Sequence, residues 1–329
     1  MFHLSSRVEG GFKTLTVYNK QIVCFKTIDN QTIIDFINPK NLEIENSIKL
    51  GSKTMHIYFR DNNNLYAYWP LERLIRINEK CEIENLDLNW GISPDILTNN
   101  TFFGTSVDSK GNRFLSKYDL TNKKVDVISK TPFRFWKTNE QMLFGVKVGV
   151  GNELYAIDIL SNDILWQRQF DSKLNGRLFF YENQIIISSS NYLYCLNKQT
   201  GKVLWTKEQN DRLVEKEDRL INVDAGYFRE ISLLTGKTEK EYQMDEEYKR
   251  VDFYRMGTNS RYAISESHIF IAEPFGNKVG SINRVTGKID WVEELYDKQS
   301  SVIESPVIFN TNVFYLDSKG CLLKYSPQQ

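Results

Sequence analysis

Three histidines, four cysteines and a few adjacent carboxylates are the candidates for chemistry in this chain. His3, His56 and His268 stand far apart, so no two have the spacing of a metal-binding pair. Cys24, Cys81, Cys195 and Cys321 contain no CxxC pair, and neither a zinc site nor a disulfide framework is supported. Cys24, Cys195 and Cys321 lie in apolar, strand-like surroundings and read as buried free thiols. Glu246-Glu247 and Glu293-Glu294 are neighbours in sequence; on a strand their side chains point to opposite faces, so they read as solvated surface. The chain carries no Gly-x-Ser-x-Gly elbow and no Walker or dinucleotide glycine pattern. The expectation is no catalytic residue, no metal ligand and no cofactor, although distant loops can assemble a site that sequence does not display.

The elements that would position any site are strands. The 329 residues allow one large domain or two ordinary ones and can bury a full core. Forty-two Lys+Arg balance forty-two Asp+Glu, which argues against a general nucleic-acid binder. Aromatics make up 13%, with 20 Phe and 17 Tyr, and lean toward β structure. No apolar run approaches the ~18 residues that span a bilayer. The opening Met-Phe-His-Leu-Ser-Ser-Arg shows neither a basic n-region nor an apolar h-region, and the expectation is a soluble cytoplasmic protein. Abundant Asn, Lys and Ile suggest an AT-rich bacterial genome.

Internal repetition is the main signal. Leu154-Tyr-Ala-Ile-Asp158 is followed by Trp166; Leu193-Tyr-Cys-Leu-Asn197 by Thr200-Gly201-Lys202 and Trp205; Val279-Gly-Ser-Ile-Asn283 by Thr286-Gly287-Lys288 and Trp291. Phe228-Arg-Glu-Ile-Ser232 leads to Thr235-Gly236-Lys237, with Lys240 where the Trp would stand. Weaker copies end at residues 38, 69, 119 and 326, giving gaps of 31, 50, 39, 39, 35, 51 and 43 along the chain. A period near 40 in strand-like material means a solenoid or propeller. Residues 176–209 show the unit: four short strands at Arg177–Tyr181, Gln184–Ser189, Tyr192–Asn197 and Val203–Thr206, joined by polar turns.

These repeats resemble the pyrroloquinoline-quinone-like (quinoprotein-type) β-propeller repeat: a Leu-Tyr-Ala-Leu-Asp strand, Thr-Gly-Lys, then an apolar-Leu-Trp strand. The resemblance is strongest over 154–209 and 279–291 and faint before residue 120. It implies an all-β fold, a single β-propeller domain over 1–329 built from four-stranded antiparallel blades, eight of them, with seven as the alternative count. It also implies that Trp166, Trp205 and Trp291 pack between blades and that Gly201, Gly236 and Gly287 supply positive φ in the turns. The last unit stops after its third strand, and residues 1–9 are expected to complete it, with Gly10-Gly11 as the turn into blade 1. The gaps of 31 and 50 mark residues 51–115 as short or mis-framed.

The resemblance does not bring a quinone cofactor, because the quinoprotein dehydrogenases are longer, exported and carry a Ca²⁺ site and an adjacent-cysteine disulfide. Nor does the chain look like the outer-membrane assembly lipoprotein of this family, which needs an export signal and a lipid-bearing Cys.

Loops between blades, and between second and third strands, emerge on one face of a propeller. Three connections look long: Cys81–Pro94 carrying Trp90, Asn210–Glu217, and Asp245–Asn259. The last holds Tyr248, Arg250, Phe253, Tyr254 and Arg255, residue types favoured as interface anchors; otherwise it is a strand with a polar edge. Phe133-Arg-Phe-Trp136 opens the fourth blade and reads as core. The expected function is a non-catalytic protein-binding propeller, a monomer when free, resembling in architecture immunity proteins that neutralise a toxin. The alternatives are an enzyme or binder acting on a carbohydrate or other small molecule at the central funnel, and a scaffold subunit of a larger assembly.

Overall fold

The computed structural model describes residues 1–50, 57–60, 64–69, 73–86, 91–98, 100–129, 133–138, 141–147, 151–208, 213–224, 226–256 and 261–328. The strands form eight four-stranded antiparallel sheets, the eight blades of a β-propeller. Two compact units divide them. The first (Met1–Thr54, Asp211–Ser232 and Lys237–Gln329) holds blade 1 (Phe12–Tyr18, Gln21–Ile28, Gln31–Ile37, Ile44–Leu50) and blade 6 (Leu213–Lys216, Arg219–Asp224, Tyr227–Ser232, Thr238–Gln243). It also holds blade 7 (Arg261–Ile264, His268–Ala272, Lys278–Asn283, Ile289–Glu294) and blade 8 (Val307–Phe309, Asn312–Leu316, Cys321–Pro327). The second (Met55–Asn210 and Leu233–Gly236) holds blade 2 (Ile57–Arg60, Asn64–Trp69, Arg73–Asn78, Ile83–Asn85) and blade 3 (Gly91–Thr98, Thr101–Val107, Arg113–Asp119, Lys124–Ser129). Blade 4 (Phe133–Thr138, Met142–Lys147, Glu153–Asp158, Ile164–Gln169) and blade 5 (Leu174–Tyr181, Gln184–Ser189, Tyr192–Asn197, Val203–Glu208) complete it.

Middle strands are apolar on both faces because both faces are buried. In blade 5, Ile185, Ile186 and Ile187 are all fully buried, although their side chains alternate in direction. Buried Cys24 and Cys195 occupy middle strands, and burial pushes the Cys195 thiol up to about 12.

One turn recurs after the third strand. The side-chain oxygen of Asn38, Asn78, Asp119, Asp158, Asn197 or Asn283 accepts the backbone N–H two residues on. That bond satisfies a donor that the tight turn would otherwise orphan. The closing residue of the turn is left-handed at Leu42 (φ 62), Cys81 (φ 61), Lys123 (φ 53), Asn162 (φ 65), Gly201 (φ 65), Gly236 (φ 70) and Gly287 (φ 69).

This turn corrects the repeat frame in blade 2. Leu65-Tyr-Ala-Tyr-Trp69 carries the letters of a third strand but forms the second, paired on both sides. The third strand is Arg73–Asn78, and its anchor is Asn78. The gaps 38 to 78 and 78 to 119 are then 40 and 41, so blade 2 is mis-framed in that reading rather than short. The proposed Cys81–Pro94 connection likewise contains the strand Ile83–Asn85 and the start of Gly91–Thr98.

The Trp and Gly of the repeat act as one device. Trp166 of blade 4 lies on Gly201 of blade 5, where a Cβ would stand 2.7 Å from the indole, and its Nε1 donates to the Lys198 carbonyl at 3.0 Å. Trp205 repeats this on Gly236, with Nε1 donating to the Leu234 carbonyl at 3.2 Å. On Gly287 the ring is Tyr242, whose hydroxyl donates to the Val285 carbonyl at 2.5 Å. Trp291 packs edge-on to Tyr325, with ring centroids 5.3 Å apart. Glycine is required twice over, for its left-handed backbone and for the absent side chain under the ring.

Lys240, in the place of the missing Trp, joins a buried ion network. Glu230 accepts from Nε of Arg284 at 2.8 Å, and Lys240 Nζ lies 3.4 Å from the same carboxylate. Arg284 also donates to the carbonyls of Ser265 and Glu266. Glu230→Gln is expected to lower stability by about 3–5 kcal/mol, because it leaves a buried guanidinium without its counter-charge. Urea unfolding checks this, and a midpoint shift equivalent to under ~1 kcal/mol would refute the role.

The N-terminal strand Phe2–Glu9 pairs antiparallel with Cys321–Pro327 and completes blade 8. Phe2 packs on Phe270 and Trp291, with ring centroids at 5.0 and 5.5 Å. Phe2 and Leu4 join one core cluster of this unit and Val8 another. The Phe12 N–H donates to the Gly320 carbonyl, so the Gly10-Gly11 turn is stitched to the loop between the second and third strands of blade 8.

Candidate functional site

Four loop pairs of the first unit meet on one face. At each, the connection to the next blade is tied to the loop between the second and third strands. In blade 6, Met244 N–H donates to the Gly226 carbonyl at 2.7 Å; in blade 7, Leu295 N–H donates to the Asn277 carbonyl at 2.6 Å. Tyr254 N–H donates to a Glu273 carboxylate oxygen at 2.6 Å, and Glu273 is itself buried. Blade 8 closes the set through Phe12 and Gly320.

Three aromatic rings stand out from this stitched surface. Tyr254 is 57% exposed, Phe275 80% and Tyr296 68%. Tyr254 and Phe275 meet edge to face, with ring centroids 6.1 Å apart. The Arg7 guanidinium lies 3.8 Å from the centroid of the Tyr296 ring. The charges around them are paired: Arg255 with Asp245 at 3.1 Å, Lys278 with Asp252 at 2.7 Å, Arg7 with Glu9 at 3.1 Å, and Lys319 with Asp297. Beside Tyr296 opens a cleft of about 590 Å³, walled by Arg7, Glu9, Asp297, Asp317 and Lys319.

Of the residues singled out in sequence, Tyr254 and Arg255 lie on this face. Trp90 lies outside the described residues. Tyr248 and Phe253 do not face solvent: they are 3% and 5% exposed, in a core cluster with Phe228, Tyr262 and Ile271. The segment is neither a loop nor a strand with a polar edge at this point. Residues Asp245–Arg250 form a short helix, α1, whose Tyr248 plugs that core. Its polar side chains satisfy the edge of blade 7: Ile289 N–H donates to Glu247 at 3.0 Å, and Arg250 donates to the Ile289 carbonyl at 2.5 Å. Arg250 is thus spent on an internal contact. In the Asn210–Glu217 stretch, Leu213–Lys216 is a strand of blade 6 rather than a loop. Phe133–Thr138 is the first strand of blade 4, as expected, and the core reading of Phe133-Arg-Phe-Trp136 falls on side chains outside the described residues.

Arg250 holds the Glu247 carboxyl below its ordinary 4.5, helped by the Ile289 N–H. A depressed carboxyl contributes its stability in full above 4.5, and loses it as the pH falls through the folded value. Glu247→Gln is therefore expected to flatten the acid limb of a stability-versus-pH curve. Melting temperatures between pH 3 and 7 check this, and an unchanged slope would refute it.

Phe275, Tyr296, Arg7, Asp317 and Lys319 were not legible as a site. Phe275 did carry a signal, a large apolar side chain in the turn Glu273-Pro-Phe-Gly276. The others come from three separate stretches that only the closure of blade 8 brings together.

His268 begins a strand, as expected, and bridges Ser267 and Asp290. Its Nδ1 lies 2.8 Å from Ser267 Oγ, and its Nε2 lies 2.8 Å from an Asp290 oxygen whose partner oxygen accepts from buried Ser281. The chain of bonds ties three adjacent strands of blade 7. Among the described residues, no His, Cys, Asp and Glu gather as a metal-binding group. No described helix is long and apolar enough to cross a membrane.

The profile of the family described as outer membrane protein assembly factor BamB matches residues 150–328, more than half of the chain. The chain belongs to this family. The match falls on the second half of the chain, where the quinoprotein-type repeats are clearest, and bears out that resemblance. Solved BamB from Moraxella catarrhalis is similar over 100% of this chain and 98% of its own, at 10% identity and a TM-score of 0.67. The C-terminal WD40 domain of Sif2 is similar over 100% and 99%, at 9% identity and a TM-score of 0.69. The computationally designed Ika8 protein is similar over 98% of each chain, at 10% identity and a TM-score of 0.68. At such identities these likenesses show the propeller fold. No curated protein matches the chain in sequence.

Proposed function

We propose that this BamB-family propeller is a non-catalytic protein-binding module, and that it docks its partner on the face carrying Tyr254, Phe275 and Tyr296. The observation that carries this reading is three large rings exposed together among paired charges. Exposed aromatics ringed by polar groups are the composition of binding hot spots, in contrast to the single aliphatic side chains such as Leu160 and Val285 that the repeat turns expose. In its finer form the partner is a toxin and the chain its cytoplasmic immunity protein. A scaffold role within a larger assembly is the second reading, favoured by the assembly-factor description of the family.

Affinity capture from native lysate tests the proposal. Wild type is expected to retain one stoichiometric protein, and Tyr254→Ala/Phe275→Ala is expected to lose it. Retention by the double variant would refute the assigned face. A single partner that is toxic alone supports the immunity form, and several co-purifying subunits support the scaffold.

A further inference from the structure

The cleft beside Tyr296 has a chemistry that names part of its occupant. Its wall carries two cations, Arg7 and Lys319, against three carboxylates, Glu9, Asp297 and Asp317. Each cation already has a carboxylate partner, Arg7 in Glu9 and Lys319 in Asp297. Asp317 is the surplus anion. It is 96% buried by residue, being only 4% exposed, and one oxygen, Oδ1, accepts the backbone N–H groups of both Lys319 and Cys321. The Cys321 thiol also hydrogen-bonds this carboxylate, and a carboxylate with about four acceptor sites has room for one further donor. The negative field registers on Cys321, whose thiol is raised first by burial and then by Asp317 and Glu9. The Tyr296 ring, stacked by Arg7, adds an electron-rich surface at the mouth.

We propose that this cleft receives an arginine side chain of the protein partner, its guanidinium paired to Asp317 and laid against Tyr296. The inference rests on the protein-binding reading above. A planar guanidinium suits both contacts at once, since its fork matches a carboxylate oxygen pair and its face stacks on an aromatic ring. A carboxylate-bearing side chain would instead meet an uncompensated negative wall.

Titration of the full chain, carrying ring-labelled tyrosine, with the peptides Ac-Gly-Arg-Gly-NH2, Ac-Gly-Lys-Gly-NH2 and Ac-Gly-Glu-Gly-NH2 tests this by NMR. The arginine peptide is expected to shift the Tyr296 signal with millimolar affinity, several-fold tighter than lysine, while the glutamate peptide leaves it unmoved. Asp317→Asn keeps the turn acceptor but removes the charge and should weaken arginine binding at least tenfold. Should that variant fail to fold, Tyr296→Ala at an exposed position should weaken binding several-fold, read by isothermal titration. Equal binding of the glutamate peptide, or arginine affinity unchanged in both variants, would overturn the proposal. Partner capture through Tyr254 and Phe275 with no arginine binding would sink this inference alone and leave the docking face standing.

Discussion

A chain lacking residues 1–9 is expected to lose stability by about 3–5 kcal/mol from the apolar contacts of Phe2, Leu4 and Val8 alone. The strand gives more than burial. It supplies the fourth strand of blade 8, and without it Cys321–Pro327 presents an open row of backbone donors and acceptors. Phe2 also leaves Phe270 and Trp291, so the loss reaches blade 7. The expected outcome is a melting temperature lower by roughly 10 °C, at ~2–4 °C per kcal/mol for a chain of this class, together with concentration-dependent association on size exclusion. A truncated protein that stays monomeric and melts with the wild type would show that the strand is dispensable.

The second large effect belongs to Trp166 and Gly201. Trp166→Ala is expected to cost about 3–5 kcal/mol by opening a cavity in the core between blades 4 and 5. Gly201→Ala carries two penalties, roughly 1–2 kcal/mol for a left-handed alanine and a further cost for the methyl group driven into the indole at 2.7 Å. In a Trp166→Ala background only the first remains. Chemical unfolding of both single variants and the double is expected to show a combined loss smaller than the sum, with the shortfall equal to the clash. Strict additivity would mean that the ring and the glycine act independently.

The propeller was legible because its unit repeats. Thr-Gly-Lys and Trp hold their places where a ring must land on the glycine of the next turn, as Trp166 does on Gly201 and Trp205 on Gly236, and that demand fixes both letters and spacing. Blade 2 misled because its second strand, Leu65–Trp69, copies the letters of a third strand, while the true one, Arg73–Asn78, lacks them. Only pairing partners distinguish the two. The site was harder to read for a different reason. Tyr248, Phe253, Tyr254 and Arg255 lie within eight residues, yet α1 turns Tyr248 inward, the turn after it buries Phe253, and Tyr254 and Arg255 stay outside. Composition cannot resolve that choice, because aromatic side chains serve cores and interfaces equally well. The cleft was invisible because Arg7, Tyr296 and Asp317 share no local sequence, and it exists only where the two chain ends meet.

The pairing of the first strand with the last also sets an order of events in time. Ser5 donates to the Lys324 carbonyl across 319 residues. At ~5–20 residues per second of synthesis, the first strand waits roughly 15–60 s for its partner to be made. Seven other blades can assemble meanwhile from contiguous sequence, each from local hairpins that close quickly. During that wait Phe2–Glu9 is an unpaired strand, and its polar residues His3, Ser5, Ser6, Arg7 and Glu9 make it a poor template for neighbouring nascent chains. The closing strand is built to be patient: apolar enough at Phe2, Leu4 and Val8 to lock the finished molecule, and polar enough elsewhere to stay soluble until the last blade leaves the ribosome.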